Sequence, residues 1–175
     1  MTLNSSGQLS LGGSTTGQSI EKELGIGPTT QASFNDSNFR TLAGKSSGQI
    51  ALNNFYGKSN RVNVSYTFSS NTANANLNVS SIGGYVTGKS CITVKVNSGV
   101  YIYATSTANA GLTLTGGTSG DVIKLQNCGY IMGQGGNGAG YLSGCARNPV
   151  GTSATSGGPA LSLGYNLTLI NNSYI

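Results

Sequence analysis

The chain has 175 residues and a net charge of +5, from nine Lys and Arg against four Asp and Glu, with no His and no Trp. Charged residues make up 7% of it, against about a quarter in ordinary globular proteins, while 28 Gly, 24 Ser, 19 Asn and 18 Thr make up about half; this is a poor composition for a helical cytosolic enzyme and unlike that of most disordered chains, and its natural outcome is β structure with many turns. The basic residues form no stripe, so no nucleic-acid surface is expected, and no stretch approaches the roughly 18 consecutive apolar residues of a membrane span.

The N-terminus, Met1-Thr2-Leu3-Asn4, has no basic region followed by an apolar run. No secretory signal is therefore expected, and synthesis belongs in a cytoplasm. A short motif then occurs three times. Gln8-Leu9-Ser10-Leu11-Gly12-Gly13, Gln31-Ala32-Ser33-Phe34-Asn35-Asp36 and Gln49-Ile50-Ala51-Leu52-Asn53-Asn54 share Gln, apolar, small, apolar and two turn formers. Each reads as a very short strand leading into a turn or a helix cap. Ser19 is placed to cap a turn through Ile20, Glu21 and Leu24, with Gly25 as its stop. Asn35 is the expected cap of a second helix, Asp36 to Ala43, closed by Gly44. Phe34 and Phe39 have the spacing of a hydrophobic staple. Asn53 is the expected cap of one turn through Phe55 and Tyr56, closed by Gly57.

Residues 1–58 thus read as a small module of strand-then-helix units. About 58 residues are marginal for independent stability, so the module is expected to dock or to oligomerise. Phe34, Phe39, Leu42, Ile50, Leu52, Phe55 and Tyr56 are its candidate core or docking face. Residues 59–61 are the expected hinge, and residues 62–175 the β-rich domain. Val62, Val64, Tyr66 and Phe68 alternate with polar residues, as a half-buried strand does. Ser69 to Ala75 reads as a polar turn. Leu77 and Val79, with Ile82 continuing the pattern, then Ile92, Val94 and Val96, then Val100, Ile102 and Ala104, then Leu112 and Leu114, and then Val122 to Gln126 are the further candidates. The fold class is mainly β, a sandwich or a β-solenoid.

A second internal similarity favours stacked rungs. Val94-Lys95-Val96-Asn97-Ser98-Gly99-Val100-Tyr101-Ile102, Lys124-Leu125-Gln126-Asn127-Cys128-Gly129-Tyr130-Ile131 and Thr168-Leu169-Ile170-Asn171-Asn172-Ser173-Tyr174-Ile175 each run from a strand through Asn and small residues to an apolar pair. Their irregular separations exclude a strict repeat array. Between the last two lies Gly133-Gln134-Gly135-Gly136-Asn137-Gly138-Ala139-Gly140. So many glycines are ordered only where their backbones pack closely, as in polyproline-II-like strands; otherwise they form a flexible loop. No Lys-Ser/Thr or helix start follows, so no phosphate cradle is expected. Because Tyr174-Ile175 repeats the rung that leads into the glycine stretch, the expectation is that further glycine-rich sequence follows it.

Enzyme chemistry finds little here. There is no His for a triad or for acid–base work. A glycosidase needs two carboxylates ~5–10 Å apart, and the β-rich region has only Asp121. Cys91, Cys128 and Cys145 match no zinc spacing and read as small buried thiols, with a Cys128–Cys145 pair as the alternative. No catalytic residue, metal site or cofactor is expected. Binding or architecture remains. Tyrosines among Gly, Ser and Asn compose adaptable recognition surfaces. The candidates for contact are Tyr130, Gly133, Gly135, Gly136, Asn137, Gly138 and Tyr141.

The stretches Ser33-Phe34-Asn35-Asp36-Ser37-Asn38-Phe39-Arg40-Thr41-Leu42-Ala43-Gly44 and Ser47-Gly48-Gln49-Ile50-Ala51-Leu52-Asn53-Asn54-Phe55-Tyr56-Gly57-Lys58 resemble the N-terminal module of tailed-bacteriophage tail fibre and receptor-binding proteins. Val96-Asn97-Ser98-Gly99-Val100, Asn127 through Gly138, and Gly157-Gly158-Pro159-Ala160-Leu161 are similar to that family's step from β strands into a glycine-rich tip. The resemblance implies a structural virion protein at the tail tip or baseplate. Its N-terminal module would hold a tail or baseplate protein, and its distal part would face a host polysaccharide or outer-membrane protein. A homotrimer is also implied. The alternatives are an architectural baseplate component without host contact, and a fibre-borne polysaccharide depolymerase.

Overall fold

A computed structural model of the chain describes residues 2–27, 31–140 and 153–175. The chain forms two compact units, Met1–Val62 and Asn63–Ile175, and is mainly β.

The first unit holds helices α1 (Ile20–Leu24) and α2 (Ser37–Ala43) and a 3-10 turn at Leu52–Phe55. α1 is bounded as its sequence predicts. Ser19 Oγ accepts from Lys22 N, and Gly25 closes the helix with φ 74°. α2 starts one residue later than expected. Its cap position is Asp36, not Asn35, and no side chain caps it. Asp36 instead turns back to accept from Ser33 N at 2.9 Å, and Asn35 Oδ1 accepts from the Arg40 guanidinium at 2.9 and 3.2 Å. The third turn is capped at Ala51 rather than Asn53, and the Asn54 side chain reaches back to Ala51 N at 3.0 Å. The thrice-repeated motif yields no strands among the described residues. The β contacts of this unit are isolated bridges, Thr2 with Ser59 and Ser10 with Ser19. Three alternating residues make no strand without a long partner to pair with.

The core of this unit is Leu3, Ile20, Leu24, Phe39, Leu42, Ala43, Ile50 and Phe55. Phe34 stacks on Phe55, with centroids 5.7 Å apart, and meets Phe39 edge-on at 6.2 Å. Burying the Phe39 and Phe55 rings contributes about 1.5–3 kcal/mol each. The Ser59 hydroxyl and the Asn60 N–H both donate to Glu23 Oε1.

Among the described residues ten strands follow, the first beginning at the last residue of the first unit: β1 (Val62–Phe68), β2 (Thr72–Ala73), β3 (Ala75–Asn78), β4 (Ser90–Val96), β5 (Tyr101–Tyr103), β6 (Leu112–Thr115), β7 (Val122–Asn127), β8 (Tyr130–Met132), β9 (Leu161–Leu163) and β10 (Thr168–Asn171). They form three sheets, ordered β1-β4-β7-β10, β2-β5-β8 and β3-β6-β9. Successive strands enter successive sheets, so each circuit of the chain adds one strand to each. The registered pairs of β4 through β10 are parallel. β4 is the clearest case of alternation: Ile92, Val94 and Val96 are fully buried, and the residues between them are half-buried. The inward residues of all three sheets, among them Ile102, Leu112, Leu125 and Ile131, meet in one core.

Two strands depart from the sequence pattern. The expected polar turn Ser69 to Ala75 contains β2, paired with Ile102 and Tyr103. β9 lies beyond the glycine stretch, which is an excursion between β8 and β9. That excursion explains the uneven separation of the internal similarities. Val79 is fully buried but lies in a 3-10 turn, Val79–Ser81, and Ile82 follows that turn rather than extending a strand.

Candidate functional site

The parallel registers bring three tyrosines into one column. Tyr101 pairs with Tyr130, and Tyr130 bridges to Tyr174. Their rings stack almost coplanar, with centroids 4.6 and 5.4 Å apart and planes 6° and 3° apart. In-register parallel strands repeat a side chain at about 4.8 Å, close to the stacking distance of aromatic rings. Ile102 and Ile131, one position on, point inward and are fully buried, which turns the tyrosine column outward. Beyond it, Tyr103 and Met132 share the next outward register position and are exposed. Tyr174, which ends the described stack, is 69% exposed.

The corner that carries this column is built on asparagine. Buried Asn127 donates to Asn171 Oδ1 at 2.8 Å and to Tyr174 O at 2.9 Å, and accepts from Gly129 N at 3.1 Å. Two circuits earlier, after β1, Asn71 Oδ1 accepts from Tyr101 N at 2.9 Å.

The glycine stretch leaves β8 directly and runs beside residues 155–159. Gly158 N donates to Gln134 O at 2.8 Å and Thr155 N to Asn137 O at 3.0 Å, while Asn137 N donates to Thr155 Oγ1 at 2.8 Å. A methyl group on Gly133 would sit 2.2 Å from Gly158 O, and one on Gly136 would sit 1.8 Å from Thr155 O. Methyl groups on Gly135 and Gly138 would meet nothing. Gly158 in turn lies against the Thr107 backbone. The glycines thus alternate in kind: two permit close backbone contact, and two face open space.

Residues 63–175, more than half of the chain, match the model of the family described as phage tail fibre adhesin Gp38. The chain belongs to that family. No curated protein and no solved structure gives a match. The protein is therefore a phage tail-fibre adhesin, a component of the virion tail that takes part in host recognition.

Within the adhesin, the candidate residues fall into separate groups. Tyr130 lies in the tyrosine column, and Gly133 to Gly138 lie in the segment that follows it. Tyr141 lies outside the described residues, as does Cys145. Cys91 and Cys128 are free, half-buried thiols. Of the docking candidates, Phe39, Leu42, Ile50 and Phe55 are buried core, and Phe34 packs against them. Leu52 is 41% exposed, and Tyr56 is half-buried with its hydroxyl donating to Gly7 O. Tyr101, Tyr103, Met132 and Tyr174 complete the outward face around Tyr130. The repeated apolar pair Tyr-Ile marks two of these four residues, since Tyr101 and Tyr174, like Tyr130, each precede an Ile.

Asp121 accepts four hydrogen bonds. Its Oδ2 accepts from Tyr85 Oη at 2.7 Å, Thr118 Oγ1 at 2.9 Å and Thr118 N at 3.0 Å, and its Oδ1 accepts from Ser90 N at 3.1 Å. Burial raises its pKa. The hydrogen bonds from Tyr85, the Thr118 and Ser90 amides and the Thr118 hydroxyl outweigh that, and hold it below the ordinary carboxylate value. With all these bonds satisfied internally, Asp121 joins the turn before β4 to the turn before β7.

Proposed function

We propose that residues 1–58 attach the adhesin to the phage tail or baseplate, and that the β unit is a solenoid shaft carrying a host-facing surface. The observation behind this reading is a coincidence of boundaries. The family match begins at residue 63, and the second compact unit begins at Asn63. The unit before it has its own aromatic core and lies outside the match, as expected of a separately evolved connector. Leu52 and Tyr56 are the docking candidates with surface to offer. Phe39, Leu42, Ile50 and Phe55 hold the unit together, and Phe34 packs on them.

On the host side, the surface we propose consists of the tyrosine column and the open glycines Gly135 and Gly138. Stacked rings are stiff and amphipathic, so they offer contact area at little entropic cost. Gly133 and Gly136 set the path of the segment. The assembly in this reading is a homotrimer. The three sheets already close a core within one chain, so trimerisation orders copies on the particle rather than completing the fold.

The test is a phage encoding the adhesin without residues 1–58. Its particles should lack the protein by immunoblot and fail to adsorb, while the full-length protein restores both. Normal incorporation of the shortened protein would refute the attachment role. Light scattering of the purified full chain should give three times 17.7 kDa, and a monomer mass would remove the trimer.

A further inference from the structure

The outer face of the β3-β6-β9 sheet carries a groove of about 310 Å³, lined in part by Asn74, Asn76, Asn109, Thr113, Ser162 and Pro159. Its floor is a column across three strands. Asn76 pairs with Thr113, and Thr113 pairs with Ser162, so their side chains repeat at strand spacing on one face. Its walls are Asn74 between β2 and β3, the loop after β5 and the segment before β9. The wall at Asn74 is fixed: this residue has φ 47°, its side chain donates to Thr105 Oγ1 at 2.7 Å, and it accepts from Thr105 N at 2.9 Å.

The other polar lining is uncommitted. The side chains of Asn76, Asn109, Thr113 and Ser162 make no hydrogen bond to any described residue. Each amide or hydroxyl both donates and accepts. Among the described residues no charged side chain lines the groove, while Ala108, Ala110 and Pro159 supply small apolar surface. β6, the middle strand, is paired on both sides, and the column of Asn76, Thr113 and Ser162 lies on the face of the sheet rather than along an edge, so the floor offers side chains and not a strand edge. The ligand that fits such a lining is neutral and dense in hydroxyls that both donate and accept, with C–H faces between them.

We propose that this groove is a binding site for a neutral oligosaccharide. The proposal deepens the host-contact reading above, on which it rests, by naming the receptor chemistry. It places that chemistry on the side of the shaft, on a sheet other than that of the tyrosine column.

The experiment exposes the full chain to an array of uncharged hexose, deoxyhexose and N-acetylhexosamine oligomers, with uronic-acid oligomers alongside. Binding of the best ligand is then titrated by calorimetry. At least one neutral oligomer should bind, and the double variant Asn76→Ala, Thr113→Val should weaken it at least about tenfold. Asn109→Ala, in the loop, gives a second readout that leaves the strands untouched, and Ser65→Val on β1 is the control that should bind normally. Thermal melts establish that each variant is folded. The proposal is overturned if no neutral oligomer binds at millimolar concentration, if uronic-acid oligomers bind better, or if both groove variants bind like the wild type. Coating of host cells by labelled protein is scored separately. Cell coating without glycan binding sinks the groove and leaves host recognition standing. Groove-dependent glycan binding without cell coating does the reverse.

Discussion

Asn127 and Asn171 occupy the same register on β7 and β10, and the buried amide of Asn127 donates to Asn171 Oδ1 at 2.8 Å. The same amide reaches Tyr174 O and receives Gly129 N. One side chain thus fastens the corner that sets Tyr174 over Tyr130. Asn127→Leu keeps the volume but strands the buried Gly129 N–H and removes both donated bonds. A loss of about 2–4 kcal/mol is expected. It should appear as a lower urea midpoint with an unchanged slope. A midpoint within error of the wild type would mean that the corner holds without its asparagine.

The glycine segment makes a sharper prediction, because its positions differ in kind. Gly133 and Gly136 are three residues apart and have no room for a methyl group; Gly135 and Gly138 are also three apart and have open space. A period of three is that of a polyproline-II helix, which shows the same side to its neighbour every third residue. Gly133→Ala and Gly136→Ala should each destabilise the segment by about 1–3 kcal/mol. Gly135→Ala and Gly138→Ala should be neutral or slightly stabilising. Hydrogen exchange at the Gly158 and Thr155 amides reads the effect locally. Equal effects at all four sites would contradict the close packing against residues 155–159.

Much of this arrangement is visible in the sequence where local chemistry decides it. Ser19 and Gly25 bound α1 because capping needs only neighbours. The alternation of Ile92, Val94 and Val96 reports burial directly. The likeness of Lys124–Ile131 to Thr168–Ile175 is also realised in register, Asn over Asn and Tyr over Tyr. Its extension to Val94–Ile102 slips by one. Val96, not Asn97, lies over Asn127, because the corner from Val96 to Tyr101 is two residues longer than the corner from Asn127 to Tyr130. β2 is hidden because two polar residues carry no periodicity. β9 is hidden because its partner Leu112–Leu114 lies on the far side of the glycine excursion. The candidate site follows the same rule. Tyr130 and the glycines are conspicuous in sequence. The column of Asn76, Thr113 and Ser162 exists only through registers between distant segments.

The tyrosine column gives a prediction about coupling. Tyr130 has a ring on each side, at 4.6 and 5.4 Å, whereas Tyr101 and Tyr174 have one described ring neighbour each. Tyr130→Leu, which keeps most of the apolar bulk, should remove about 1–3 kcal/mol, and Tyr174→Leu about half as much. In a double-mutant cycle the two should couple by about 0.5–1.5 kcal/mol. Additive losses would mean that the rings are merely adjacent and do not act as a stack.

Asp121 ties the stability of the β unit to pH with a definite sign. Its folded pKa lies below the ordinary carboxylate value of about 3.9. The unfolded state therefore takes up the proton first as pH falls. The stability contributed by Asp121 is fully present above about pH 4 to 5, and is lost as pH falls through the folded pKa. Asp121→Asn mimics loss of the charge. It should lower the urea midpoint at pH 7, because the bonds from Tyr85, Ser90 and Thr118 lose their ionic acceptor. It should also flatten the fall in midpoint between pH 5 and the acid limit. If the variant and the wild type lose stability in parallel on acidification, the acid sensitivity lies with other carboxylates, and the two turns are held by the neutral bonds alone.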